Sequence, residues 1–268
     1  MVNFSHGRAY VMQDLLEILR TLRAPGGCPW DRAQNHASIR QNLLEEAYEV
    51  CGAIDEQSPA SLCEELGDLL LQVVFHAQIA SEAGSFSFAD VTDGICRKLI
   101  ERHPHIFGNA QTETVGQVLT QWEEIKQASH GQTTQTEAMD SVTRALPALM
   151  RAEKVQKKAS RVGFDWPDIS GALAKLDEEC EETRQAIAED VNIGDELGDL
   201  LFSAVNVARF VGVDPELALT RATDRFRNRF SFVEQTALSQ GRILSDMTLA
   251  EMDALWEQRK RLEREKDV

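Results

Sequence analysis

The sequence predicts an all-α protein made of two copies of one four-helix-type module. Three observations carry this expectation. Apolar residues recur at helical spacing along nearly the whole chain, no convincing alternating strand pattern interrupts them, and one set of charged motifs occurs twice in the same order.

Taken from the N-terminus, Leu15, Ile18, Leu19 and Leu22 form the first helical stripe. Ser58-Pro59, followed by Ser61-x-x-Glu64, opens a second long helix, with proline tolerated in the first turn. The segment 127–140 (QASHGQTTQTEAMD) is polar, rich in small residues and without apolar periodicity, so it reads as a linker. Beyond it, Asp214-Pro215-Glu216 signals a capped helix start, and Leu217, Leu219, Ala222 and Phe226 continue that helix. Thr248-x-x-Glu251 offers a capping box for the last helix.

The repeat sets the domain organisation. Glu65-Leu-Gly-Asp68 recurs 131 residues later as Glu196-Leu-Gly-Asp199. Glu45-Glu46-x-x-Glu49 recurs as Glu178-Glu179-x-x-Glu182 at an offset of 133, and Trp122-x-x-x-Lys126 recurs as Trp256-x-x-x-Lys260 at 134. Residues 1–126 and 141–268 are therefore expected to be homologous modules joined by 127–140.

Composition narrows the class of function. The 268 residues, 43% of them hydrophobic, suffice for two cores. A net charge of −16 opposes extended binding to DNA or RNA, so nucleic acid is not an expected partner. The same charge means that an anionic substrate would have to be received through divalent cations or a local basic cluster. The five cysteines (28, 51, 63, 96, 180) contain no CxxC pair and read as reduced thiols. With no leader-like N-terminus and no apolar stretch of spanning length, the expected location is the cytoplasm, without a membrane partner.

Residues three apart on a helix share a face, so Glu46 with Glu49 and Glu65 with Asp68 form pairs, as do Glu179 with Glu182 and Glu196 with Asp199. A single ExxE is ordinarily a solvated face. The ExxD helices differ, because Glu65, Asp68, Gln72 and His76 make a polar stripe among leucines and valines, repeated by Glu196, Asp199, Ser203 and Asn206. Like charges on an otherwise apolar helix are costly to desolvate, and a bound cation is the natural compensation. Antiparallel packing of the two helices would gather four carboxylates, a hard-oxygen set suited to Mg²⁺ or Mn²⁺. Glu-x-x-His, which a di-iron site requires, is absent.

A basic pair follows each quartet, Lys98 and Arg102 in the first module and Arg225 and Arg229 in the second. Trp256 and Lys260, like Trp122 and Lys126, could provide an aromatic platform and a cation for phosphate. A carboxylate not committed to metal could orient water, the candidates being Glu178 or Glu179 in the second module and Glu45 or Glu46 in the first.

ExxE followed by ExxD, in tandem, resembles the MazG family of all-α nucleoside triphosphate pyrophosphohydrolases. The stretches Gly27–Asp31, Arg102–Phe107, Leu146–Ala152 and Val162–Trp166 are similar to that family as well. The resemblance implies Mg²⁺-dependent hydrolysis of nucleoside triphosphates, ATP among them, to monophosphate and pyrophosphate, with broad base tolerance in nucleotide-pool house-cleaning. It also implies a homodimer and a main catalytic role for the C-terminal copy. Lys175, Arg225, Arg229, Trp256 and Lys260 match the family's nucleotide contacts. One departure concerns the second hairpin, where 14 residues separate Glu182 from Glu196 against 16 between Glu49 and Glu65. Its loop, Asn192-Ile-Gly-Asp195, lacks the lysine that family members can carry. A non-enzymatic acidic scaffold with a structural cation, or a narrower phosphoribosyl-ATP or dUTP/dCTP hydrolase, are the alternative readings.

Overall fold

A computed structural model of the chain describes residues 9–109, 114, 116–118, 121–122, 125 and 133–266. Every regular element among the described residues is helical. Lys126 and residues 127–132 of the expected linker lie outside the described residues. The chain divides into two compact units, Met1–Lys126 and Gln127–Val268.

In the first unit, α1 (Met12–Arg23) and the short α2 (Pro29–Ala33) precede a hairpin of α3 (Arg40–Asp55) and α4 (Pro59–Glu82), followed by α5 (Phe88–Arg102) and α6 (Pro104–Phe107). The stripe expected for α1 holds in part: Leu19 is 1% exposed and packs with Ile39, Val74 and Phe75, whereas Leu22 is 37% exposed. Met12, Leu15 and Leu16 close the edge of this core. At the start of α4, Ser58 rather than Ser61 is the cap, its hydroxyl accepting from the Ser61 N–H at 3.3 Å.

The second unit contains α7 (Gln135–Asp140), α8 (Ala148–Ser160), a hairpin of α9 (Ile169–Glu189) and α10 (Ile193–Phe210), and a hairpin of α11 (Pro215–Ser239) and α12 (Leu249–Lys266). Helix α8 packs on α7, α10 and α11. Asp214 caps α11 through the Leu217 N–H at 2.9 Å, and Thr248 with Glu251 forms the expected capping box.

The segment 127–140 departs from its reading as a linker. Residues 135–140 are helical, Thr134 and Glu137 form a capping box, and Ala138 is 1% exposed. Six residues are too few to display a helical period, so only the Thr-x-x-Glu spacing announces this helix.

Both acidic hairpins turn through three residues, 56–58 and 190–192, with left-handed backbone at Gln57 in one and at Asp190 and Asn192 in the other. The two-residue difference between the repeats thus falls inside the helices. Glu196 stands in the first turn of α10, whereas Glu65 stands deeper in α4.

Candidate active site

Helix α9 buries Ala172, Glu179, Thr183 and Ala186, four positions on one face, and packs chiefly on α10. Three small side chains bring the helices together, and Glu179, 5% exposed, stands among them. Oxygens of Glu179, Glu196 and Asp199 come within 4.8 Å of one another. The first unit repeats this with Glu46, Glu49 and Glu65.

The fourth member of each quartet is close enough to be felt electrostatically. Desolvation raises the Glu196 carboxyl above its ordinary range, and the charges of Glu182, Glu179, Asp199 and Asp195 raise it further. Desolvation likewise raises Glu46, helped by Asp68 and Glu49, while a 3.5 Å hydrogen bond from Gln72 opposes the shift. Glu65 is raised by desolvation and by its acidic neighbours, Glu49 first. Such repulsion favours protonation when no cation is present and cation binding when one is.

The fit to a divalent ion is also visible at Glu179. One of its oxygens, Oε2, is buried with no hydrogen-bond partner, and its other oxygen lies 2.8 Å from the Lys175 ammonium. Lys175 further reaches Glu178 at 2.9 Å and Glu182 at 3.9 Å. Its hydrogen bonds to Glu179 and Glu178 hold its pKa well above the ordinary lysine value. The residue seven positions before Glu49, matching Lys175 before Glu182, is Asn42. The two quartets therefore differ in a cation that the repeated motifs themselves do not reveal.

A cavity of about 710 Å³ opens beside the second quartet, with Lys175, Glu179 and Asp199 in its wall. Away from these charges its lining is Gln156, Phe164, Trp166 and Phe202, with Ser203 and Asn206 from the polar stripe. Arg209 grips Asp165 with two hydrogen bonds, at 2.5 and 2.9 Å, and holds the Asp165 carboxyl below its usual range. Trp166 rests on Gly171, where a Cβ would meet the indole at 2.8 Å, so glycine is required for that approach. Gln156 and Arg209 are absent from the sequence-based site. A signal for Gln156 exists, because it shares the face of Ala152, Val155 and Ala159 and is a polar residue where an apolar one is expected.

The expected nucleotide contacts on the last hairpin are not in the lining of this cavity. Arg229 pairs with Glu263 at 2.8 Å and lies over the Trp256 ring at 5.7 Å, while Lys260 pairs with Glu257 at 2.5 Å. Phe226 packs against Trp256 with ring centres 5.1 Å apart, and Arg225 is exposed on α11. The first unit repeats one of these contacts: Arg102, buried, lies over Trp122 at 5.6 Å, whereas Lys98 is exposed.

Comparison with known proteins agrees with the duplication. The profile of the MazG nucleotide pyrophosphohydrolase domain matches residues 34–107 and again 169–233, spans that contain the two acidic hairpins. A protein of Escherichia coli (strain K12) named nucleoside triphosphate pyrophosphohydrolase is 44% identical over 254 residues, 93% of this chain and 97% of its own length. The Thermotoga maritima nucleoside triphosphate pyrophosphohydrolase/pyrophosphatase MazG is 43% identical over 250 residues, covering 93% of this chain and 96% of that one. A nucleoside triphosphate pyrophosphohydrolase of Mycobacterium tuberculosis is 37% identical over 183 residues, 66% of this chain and 54% of that protein. With two profile matches on its two acidic hairpins and relatives of this identity over nearly its full length, the chain belongs to the MazG nucleotide pyrophosphohydrolase family.

Proposed function

We propose that this chain hydrolyses nucleoside triphosphates to nucleoside monophosphate and pyrophosphate at the Glu179, Glu182, Glu196 and Asp199 quartet, with broad base tolerance and with Mg²⁺ as the working ion. The observation that carries the reading is the buried, unpartnered Oε2 of Glu179, set among other carboxylates at the wall of a cavity. An all-oxygen donor set fits Mg²⁺ or Mn²⁺. When bound, such an ion neutralises phosphate charge and lowers the pKa of water.

The protein's own groups supply the remainder. Lys175 bridges three carboxylates and is positioned to turn from them to a triphosphate oxygen when the quartet's charge is otherwise balanced. Glu178, more exposed than Glu179, can accept a proton from the attacking water. The water oxygen then bonds to phosphorus as the bond between nucleotide and departing pyrophosphate breaks. The proton held on the carboxylate returns to solvent.

The C-terminal copy is the favoured catalytic one, since it has Lys175 where the first copy has Asn42, and its quartet adjoins the 710 Å³ cavity. Domain limits of 1–126 and 141–268 remain part of this proposal, as does a cytoplasmic location. Among the described residues no helix is long and apolar enough to cross a membrane. A homodimer accords with exposed apolar side chains on α10 and α11, including Leu201, Leu219 and Phe226, which are 56%, 55% and 60% exposed.

Incubating the purified chain with mixed nucleoside triphosphates and Mg²⁺ should release monophosphate and pyrophosphate in equal amounts. Bound metal without pyrophosphate release from any triphosphate would instead mark an acidic binding protein.

A further inference from the structure

The 710 Å³ cavity is chemically polarised. One part of its wall has Glu179, Asp199 and Lys175, groups suited to a cation and phosphate. Elsewhere the wall is aromatic and apolar, and its charged side chains Asp165 and Arg209 neutralise each other. Phosphates would meet the first part favourably, while a neutral, flat, apolar group fits the second.

Two side chains there lack the partners that folding usually provides. Gln156 is only 7% exposed, and its Nε2 donates to the Phe202 carbonyl at 2.8 Å. That bond fixes which end of the amide is the acceptor, since a carbonyl can receive only from the –NH₂. Its Oε1 is buried without any partner. A buried acceptor left unmatched is costly, so a ligand N–H that reaches it brings a gain. Phe164 also lines the cavity, yet 82% of it is exposed. An aromatic face held open at the end of a Gly163 left-handed turn is a stacking surface for a base. Asn206 receives two Arg209 N–H groups on Oδ1, at 2.7 and 3.1 Å, which leaves Nδ2 as a donor.

We propose that this aromatic part of the cavity is the nucleobase subsite, with the base stacked on Phe164 and an exocyclic amino or ring N–H donated to Gln156 Oε1. The assignment rests on the function proposed above for the adjoining quartet. It makes Phe164 and Gln156 specificity-determining residues, distinct from the Trp256 platform on the last hairpin.

The test compares three substrates: ATP, purine riboside triphosphate, which lacks the amino group, and ribose 5-triphosphate, which lacks the base. Phe164→Ala should raise KM about tenfold for both base-bearing substrates and leave ribose 5-triphosphate unchanged. Wild-type protein should prefer ATP to purine riboside triphosphate about tenfold in kcat/KM, and Gln156→Met should erase that preference. Because Phe164 is exposed, its variant is expected to fold even if Gln156→Met does not. Equal losses on all three substrates, or no change on any, would overturn the subsite, as would a base-dependent loss in Trp256→Ala alone. Calorimetric titration with AMP gives a readout without hydrolysis. Weaker binding to Phe164→Ala than to wild type supports the subsite even if no triphosphate is cleaved, an outcome that would overturn only the hydrolytic reading.

Discussion

The ammonium of Lys175 lies 2.8 Å from the carboxylate of Glu179, one helical turn away on the same face of α9. This contact puts a permanent cation beside a buried carboxylate that would otherwise face other acids. Lys175→Gln should therefore lose about 100-fold in kcat/KM, the scale of removing one preorganised charge at a phosphate-handling site. Steady-state kinetics on the variant checks this, and an unchanged kcat/KM would remove Lys175 from the reaction.

The two quartets can be separated by single substitutions at matching positions. Glu182→Gln should reduce pyrophosphate release by at least about 100-fold, while Glu49→Gln should leave most activity intact. Loss of hydrolysis only in Glu49→Gln would transfer the catalytic role to the first unit.

Metal binding should depend on pH in a definite direction. Glu196 is raised above its ordinary range by desolvation and by its neighbours, so in the metal-free protein it takes up a proton at a higher pH than an unfolded glutamate would. With its folded pKa raised, ionising Glu196 destabilises the metal-free fold as pH rises, and a divalent ion relieves that repulsion. The gain in Tm on adding Mn²⁺ should accordingly grow from acidic to neutral pH and be reduced in Glu196→Gln. A gain independent of pH would contradict the electrostatic account.

Glu251 provides the opposite sign. Its hydrogen bonds from the Thr248 N–H and from Arg242, with a third from the Thr248 hydroxyl, lower its pKa from 4.5 to about 2. A depressed folded pKa stabilises fully above the unfolded value and loses that contribution as pH falls from 4.5 towards about 2. The Tm difference between wild type and Glu251→Gln should be constant above pH 5, on the order of one half-unit past the unfolded pKa, and shrink below it.

Packing beneath the cavity wall is open to a separate test. Gly171→Ala drives a methyl group to 2.8 Å from the Trp166 ring, and should cost about 1–3 kcal/mol or displace the indole. Denaturant unfolding measures the first, and altered substrate KM with near-normal kcat reports the second.

The helical class, the duplication and the acidic spacing on both hairpins were legible in the sequence because each depends on local spacing. Apolar residues at helical period and acids three apart carry their geometry wherever a helix forms. The short α7 was legible only in its Thr134-x-x-Glu137 capping pair, since its six residues expose no period; it packs on α8. The last hairpin was legible as a pair of amphipathic helices, yet Arg229 and Lys260 pair with Glu263 and Glu257, acids on α12 itself.

What the sequence by itself determined is therefore the pattern of charge on two helical hairpins and the family to which that pattern points. Only the tertiary structure decided that Lys175 pairs with its own quartet and that the second quartet opens on a cavity. It alone leaves Gln156, from a helix before the repeat, with an unpartnered oxygen at that cavity. Spacing along one helix is fixed by 3.6 residues per turn, but a cavity is what remains between helices after they pack. Its lining comes from α7, α8, α9, α10 and the loop before α9, and no single stretch of sequence contains it.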